Sequence, residues 1–247
     1  MPGERISRHT SLFYGIDHLC FSHGLLALAL GGHLVRNPVE RLTAGLPRGF
    51  RVIIDWLVTI LGALVIVLAI KQWIVNPYRI PSSSMEPTLN CAKPAEGCLA
   101  SGGLFDGSDR VLACRICYRF SSPRRGDIVV FTAPPLALEK CGEGGTFVKR
   151  LIGLPGDTVR EDRHGFIWVD GKQLDEPYVT AARREADVVN NPDYLGKTWR
   201  IPRGRYFFLG DNRGGSCDSR AWGTVPRANL IGKVIATYWP PSRISIQ

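Results

Sequence analysis

A run of 19 residues, Val52 to Ile70 (VIIDWLVTILGALVIVLAI), carries a single charge, Asp55, close to its start. No other feature constrains the fold as strongly. At about 1.5 Å of rise per residue, a helix over this run nearly spans a hydrocarbon core of roughly 30 Å. The run is apolar on every face, which argues against a helix packed by one stripe onto a soluble core. It begins after 51 residues, late for a cleaved signal peptide, and no small-x-small site follows it closely. The expectation is an uncleaved transmembrane anchor at 52–70. Arg36, Arg41, Arg48 and Arg51 precede it, and Lys71 and Arg79 follow. The excess of arginine on the N-terminal side predicts a single-pass chain with a cytoplasmic basic region at 1–51 and an extracytoplasmic domain at 71–247. A weaker apolar stretch at 19–35 holds His23, His33, Ser22 and three glycines. A second span, an interfacial helix and neither are open readings there, and its composition leans against a span.

Cysteine usage suits export. Six of the seven cysteines (Cys91, Cys98, Cys114, Cys117, Cys141 and Cys217, but not Cys20) lie C-terminal to the apolar run. That is too many for casual use in a reducing cytosol and too few for a small disulfide scaffold. At 45% hydrophobic and 21% charged residues, the composition is that of a globular chain with a real core. The formal charge of +9 fits either a basic solvated surface or attraction to anionic lipid headgroups. No nucleic-acid recognition motif supports that third use of positive charge.

Beyond Lys71 the pattern changes to short β-branched and aromatic runs broken by Gly, Pro, Asn and Asp. Examples are DIVVF (127–131), TFVKRLIGL (146–154), FIWVDG (166–171), RYFFLGD (205–211) and KVIATYW (233–239). These predict strands joined by turns. No amphipathic helix stands out after Ile70. The exported part is expected to be mainly β, an antiparallel sheet domain.

The side chains narrow the chemistry. Of five histidines only His164 falls in the exported part, in the polar turn EDRHGF, so a Ser-His-Asp triad would rest on one poorly placed residue. A lysine can replace histidine as the base if burial lowers its pKa by several units, because desolvation penalises the charged form. Lys149 lies within an apolar strand. Alternation puts Phe147, Lys149 and Leu151 on one face and Val148, Arg150 and Ile152 on the other. From these residues alone, a surface lysine with its stem along the strand is the stronger reading. The serines are in IPSSSMEPTL (80–89), where Pro81 and Pro87 predict a rigid, irregular loop that presents hydroxyls.

IPSSSMEPTL, RRGDIVVF (124–131), FVKRLIGLPGD (147–157) and GDNRGGSCDSRAWGTVP (210–226) resemble, in order and spacing, the conserved boxes of bacterial type I signal peptidases. The resemblance covers about residues 52–240 and not the first 50. It implies a signal-peptidase β fold, with a smaller β insertion at 158–208. The implied enzyme is a membrane-bound serine endopeptidase that removes signal peptides from exported preproteins after small residues. The implied roles are Ser84 as nucleophile, Lys149 as general base, Ser82 as side-chain oxyanion donor and Ser216 as the hydroxyl that orients the lysine. Asp218 and Arg220 resemble a structural ion pair beneath the site, and Asp127 and Arg150 also look structural. Tyr78, Ile80, Leu89 and Val148 match walls of the substrate pockets.

The implied partners are preproteins and membrane lipid, with no cofactor, no metal and a monomeric enzyme in the bacterial cell membrane. One departure stands out: Gly214 and Gly215 replace the usual acidic or amide pair after GDNR, which predicts a looser turn. If Ser216 touches Lys149, Cys141 and Cys217 are candidates for a disulfide. Cys91 and Cys98 are candidates for a second, closing a short loop. Cys114 and Cys117 with Cys91 and Cys98 have a zinc reading, disfavoured in an oxidising compartment. Two readings compete with the peptidase. A self-cleaving repressor-type protease would lack the anchor. A non-catalytic anchored β-domain would need no serine and lysine in matched boxes.

Overall fold

The computed structural model describes residues 45–91, 98 and 107–247, so the stretch at 19–35, Cys20 and all but the end of the 1–51 region lie outside the described residues. The chain divides between Leu68 and Ala69 into two units.

Helix α1 runs Arg48–Trp73, 26 residues with none buried, and is long and apolar enough to cross a membrane. It overruns the 52–70 apolar run at both ends. Hydropathy marks where polar flanks begin, and those flanks (Arg48–Arg51 and Lys71–Trp73) are themselves compatible with helix. The helix stops before Val75-Asn76-Pro77, where the proline biases Asn76 to extended backbone.

The unit from Ala69 onward is built on an antiparallel sheet. Its strands are β1 (Val75–Arg79), β2 (Arg110–Cys114), β3 (Ile128–Thr132), β4 (Thr146–Gly153), β9 (Arg205–Leu209), β10 (Val225–Pro226), β11 (Leu230–Trp239) and β12 (Ser245–Ile246). Their order is β1-β2-β11-β3-β4-β9-β10, with β12 also on β11. A second sheet, ordered β7-β6-β5-β8, comes from β5 (Thr158–Glu161), β6 (Ile167–Val169), β7 (Lys172–Gln173) and β8 (Thr198–Arg200). The predicted insertion at 158–208 therefore ends nearer Arg200, because β9 belongs to the main sheet. Asp170-Gly171 closes the β6–β7 hairpin with positive φ at both residues (49° and 79°), the backbone that a two-residue Asp-Gly turn supplies.

The central strands β3, β4 and β9 of the main sheet are buried on both faces, which explains their unbroken apolar runs. Alternation divides β3: Ile128 and Val130 pack with Ile80, Leu89 and Val234, while Val129 and Phe131 pack with Leu151, Phe208 and Trp222. β9 is divided likewise, Tyr206 and Phe208 on one side and Phe207 and Leu209 against Ile152 and Val159 on the other. Phe131 stacks on Phe208 at 4.4 Å between centroids.

Among the described residues four α-helical segments join these strands: α2 (Cys117–Phe120), α3 (Pro135–Cys141), α4 (Ala181–Asn190) and α5 (Ser219–Trp222). The sequence reading missed α4. Thr180 caps it, accepting from Arg183 N at 3.3 Å. Its only buried residue is a carboxylate, Asp187, so no apolar stripe marks it in the sequence.

Candidate active site

The serine box leaves edge strand β1 and forms a short 3-10 turn at Ser83–Met85. Met85 and Leu89 are buried and fasten the loop to the core. Ser84 is only 8% exposed. Its Oγ lies 3.2 Å from Ser82 Oγ, at hydrogen-bond distance. Asn212 clamps the turn from the opposite loop: its N–H donates to the Ser84 carbonyl at 3.1 Å and its Nδ2 to the Ser83 carbonyl at 3.2 Å.

Lys149 lies in β4, between β3 and β9, paired with Val129. It is 5% exposed, with its amine 5.9 Å from the centre of the Phe147 ring. The amine donates to Ser216 Oγ at 3.1 Å. Burial pulls the Lys149 pKa from 10.5 down to about 8, with the Asp218 carboxylate opposing. Both sides of the strand alternation hold: Phe147 and Leu151 pack in one cluster, Val148 in another and Ile152 in a third.

Gly210 joins these parts. A Cβ there would come within 2.2 Å of Ser216 Oγ and 2.5 Å of the Ser84 carbonyl, so only glycine lets the serine turn and the Ser216 loop meet. Gly210, Asn212 and Asp211 are inside the GDNR box, but their contacts are not readable from it. Asp211 takes a bidentate ion pair from Arg150, at 2.8 and 2.6 Å, and accepts from Thr88 Oγ1 at 2.5 Å. Arg150 thus ties β4 to both loops, and its guanidinium lies 3.8 Å from the Tyr178 ring centre. Asp127 holds Lys233 at 2.8 Å and the Tyr118 hydroxyl at 3.2 Å, stitching β3 to β11.

Beneath Lys149, Asp218 binds Arg220 through two oxygens, at 2.9 and 3.0 Å, and accepts from Gly210 N at 3.2 Å. Burial pushes the Asp218 carboxyl up, but Arg220 outweighs it and holds the pKa below the ordinary aspartate value. Arg220 also reaches Asp187 of α4 at 2.8 Å and Glu161 of β5 at 3.2 Å. Burial raises Glu161 to about 8, with the Arg220 charge opposing. Glu161 and Asp187 went unnoticed in the sequence, because an isolated acid in a polar stretch looks solvated.

The turn after GDNR is not loose. A Cβ on Gly214 would meet the Ala186 carbonyl at 2.7 Å and Asp187 N at 2.9 Å, and one on Gly215 would meet Asn212 Nδ2 at 2.7 Å. Gly214 lets α4 pack directly on the backbone. Asn190 and Asn191 side chains then donate to the Gly214 and Arg213 carbonyls at 3.2 and 3.1 Å. At its other end α4 sends Arg183 to buried Glu86 at 3.4 Å, two residues past Ser84. One helix braces both the serine loop and the Ser216 loop.

Ile80, Leu89, Tyr78 and Val148 share one cluster, the first two buried in it and the other two partly exposed on it. Cys91 is bonded to Cys98, Cys141 to Cys217, and Cys114 to Cys117. The third pairing was not anticipated. The four sulfurs that a zinc site would need as thiolates are taken up in two disulfides. Glu86 lies within 4.8 Å of Cys91 and Cys98, whose sulfurs are likewise bonded.

A family model described as signal peptidase, peptidase S26, matches residues 53–239. The chain is 37% identical to a probable signal peptidase I-2 of Synechocystis, over 76% of this chain and 74% of that one. It is 33% identical to a signal peptidase I of Leptolyngbya laminosa, over 85% and 91%. A crystal structure of a signal peptidase I from Enterococcus faecalis is 36% identical, over 46% of this chain and 97% of that chain, with a TM-score of 0.36. Matched along most of its length by the family model and by these relatives, the chain belongs to the signal peptidase family, peptidase S26, and is a peptidase.

Proposed function

We propose that the chain cleaves signal peptides from exported preproteins with Ser84 as nucleophile and Lys149 as general base. The observation that carries this reading is the buried Lys149 amine, lowered to about 8 and aimed by Ser216, across Gly210 from the Ser84 turn. A neutral amine takes the Ser84 proton as Oγ attacks the scissile carbonyl. The oxyanion is received by the Ser82 hydroxyl and the Ser84 N–H, and one such donor contributes roughly 3–4 kcal/mol. The protonated amine then gives its proton to the departing amino group, leaving an acyl-enzyme. Neutral again, Lys149 deprotonates the water that hydrolyses it.

The substrate lies extended along the free side of edge strand β1, by strand addition. Small residues before the cut fit shallow pockets walled by Tyr78, Ile80, Leu89 and Val148. Helix α1 anchors the enzyme in the bacterial cell membrane, N-terminal side in the cytoplasm, as the flanking arginines favour. The enzyme works as a monomer, without a cofactor or metal.

Purified protein incubated with a preprotein tests this. Ser84→Ala and Lys149→Ala should each lose at least about three orders of magnitude in turnover while keeping their melting transition, since such residues act as a unit. Cleavage by either variant at the parent rate would overturn the assignment.

A further inference from the structure

A cavity of about 470 Å³ opens beside the C-terminal end of α1. Trp73 walls it from that end, Arg115 and Arg119 from the segment around α2, Arg227 from the 3-10 turn Arg227–Asn229, and Leu230 and Ile231 from the start of β11. The Cys114–Cys117 disulfide constrains the segment that carries Arg115 and leads into Arg119. No carboxylate lines the space.

Two of the three arginines have neutral partners. Arg115 donates to the Gln72 carbonyl at 2.9 Å. Arg227 donates to the Tyr206 hydroxyl at 3.1 Å and the Tyr118 carbonyl at 3.0 Å. Among the described residues none of the three forms an ion pair, and the nearby acid Asp127 is paired with Lys233. Three uncompensated guanidiniums around one concavity focus a positive potential and repel one another until an anion enters. A phosphate matches their planar donors.

Apart from Gln72, the rest of the cavity wall is aliphatic or aromatic, which inorganic phosphate has no use for. Trp73 is 68% exposed, and Phe120, beside Arg119 in α2, is 85% exposed. Exposed aromatics next to arginines are what a membrane–water boundary selects. Trp73 also ends the helix proposed as the anchor, so a spanning α1 puts it at headgroup depth.

We propose that this cavity binds the headgroup phosphate of an anionic membrane phospholipid, with the glycerol and upper acyl carbons against Trp73, Leu230 and Ile231. The proposal rests on the reading of α1 as a span.

The full chain in detergent is titrated with short-chain phosphatidylglycerol, phosphatidylcholine or inorganic phosphate, and retained adducts are counted by native mass spectrometry. Phosphatidylglycerol should be retained about ten-fold more tightly than phosphatidylcholine, the worth of one charge-assisted contact. Arg119→Glu and Arg227→Gln should each remove most of that preference, while Arg160→Glu in the second sheet leaves it intact. Melting temperatures check that the variants fold; Arg119 is exposed, so its variant keeps the test open if Arg227→Gln unfolds. Equal retention of the two lipids, or an unchanged preference in Arg119→Glu, overturns the proposal. Inorganic phosphate displacing the lipid at equal concentration overturns it too, in favour of a free-phosphate site. Flotation with neutral vesicles separates the premises. A chain that floats without preferring phosphatidylglycerol refutes the cavity alone, and one that does not float refutes the span and the lipid with it.

Discussion

With Lys149 as the proposed base, its titration sets the expected pH behaviour. With its pKa near 8, roughly a tenth of the molecules hold it neutral at pH 7. The kcat/KM for a preprotein should therefore climb about tenfold per pH unit below 8 and level off above it. A profile flat from about pH 6 to 9 would remove Lys149 as the base. Stability carries the opposite side of the same shift. The unfolded chain holds the lysine proton up to its ordinary 10.5 and the folded chain only to about 8, so stability rises with pH between those values and bears the full penalty below 8. Lys149→Met should accordingly raise stability at pH 7 by about 1–3 kcal/mol, with the gain fading toward pH 10.5, as read by denaturant melts. Gly210→Ala puts a methyl where Ser216 and the Ser84 carbonyl meet, and should cost about 1–3 kcal/mol and most of the activity. Alternation placed Lys149 among apolar residues, but that the strand is buried on both faces depends on partners far along the chain. The need for glycine at 210 depends likewise on a loop 126 residues away in sequence.

Elements with apolar periodicity were legible, and those that bury charge were not. β3, β4 and β9 read as strands because each packs apolar side chains to both sides. Helix α4 escaped notice because its inward face is Asp187, held by Arg220, and its ends are fastened by Arg183 and two asparagines. The glycine pair predicted a slack turn, whereas the close approach of α4 makes Gly214 a packing residue. Gly214→Ala presses a Cβ on the rigid Ala186–Asp187 peptide and should destabilise by about 1–3 kcal/mol. Its kcat should fall more than its KM changes, since the helix braces the Ser84 and Ser216 loops rather than the pocket walls. An Ala variant with parent kcat would show that α4 does not hold the site.

At the scale of the molecule, remote segments are tied together covalently and by charge. Cys141–Cys217 joins the end of α3 to the residue after Ser216, across 76 positions. Cys217→Ser should cost about 2–5 kcal/mol in a denaturant titration, and activity should fall as the hydroxyl facing Lys149 loses its tether. Candidate partners for these cysteines came from neighbouring boxes, while Cys114–Cys117 was ambiguous because the same spacing serves metal ligands. Strand order was the least legible property of all. Strand β11, residues 230–239, lies in the interior of the main sheet, between β2 and β3, although these end 116 and 98 residues before it begins. As the chain is synthesised, β2 and β3 have no partner for their facing edges until residue 239 arrives. Their hydrogen-bonding groups and the apolar faces beside them stay open meanwhile, a span of vulnerability to aggregation and proteolysis. The peptidase therefore has no working half-made form: the Ser84 and Lys149 segments emerge early, but the sheet that brings them together closes only with one of its last strands.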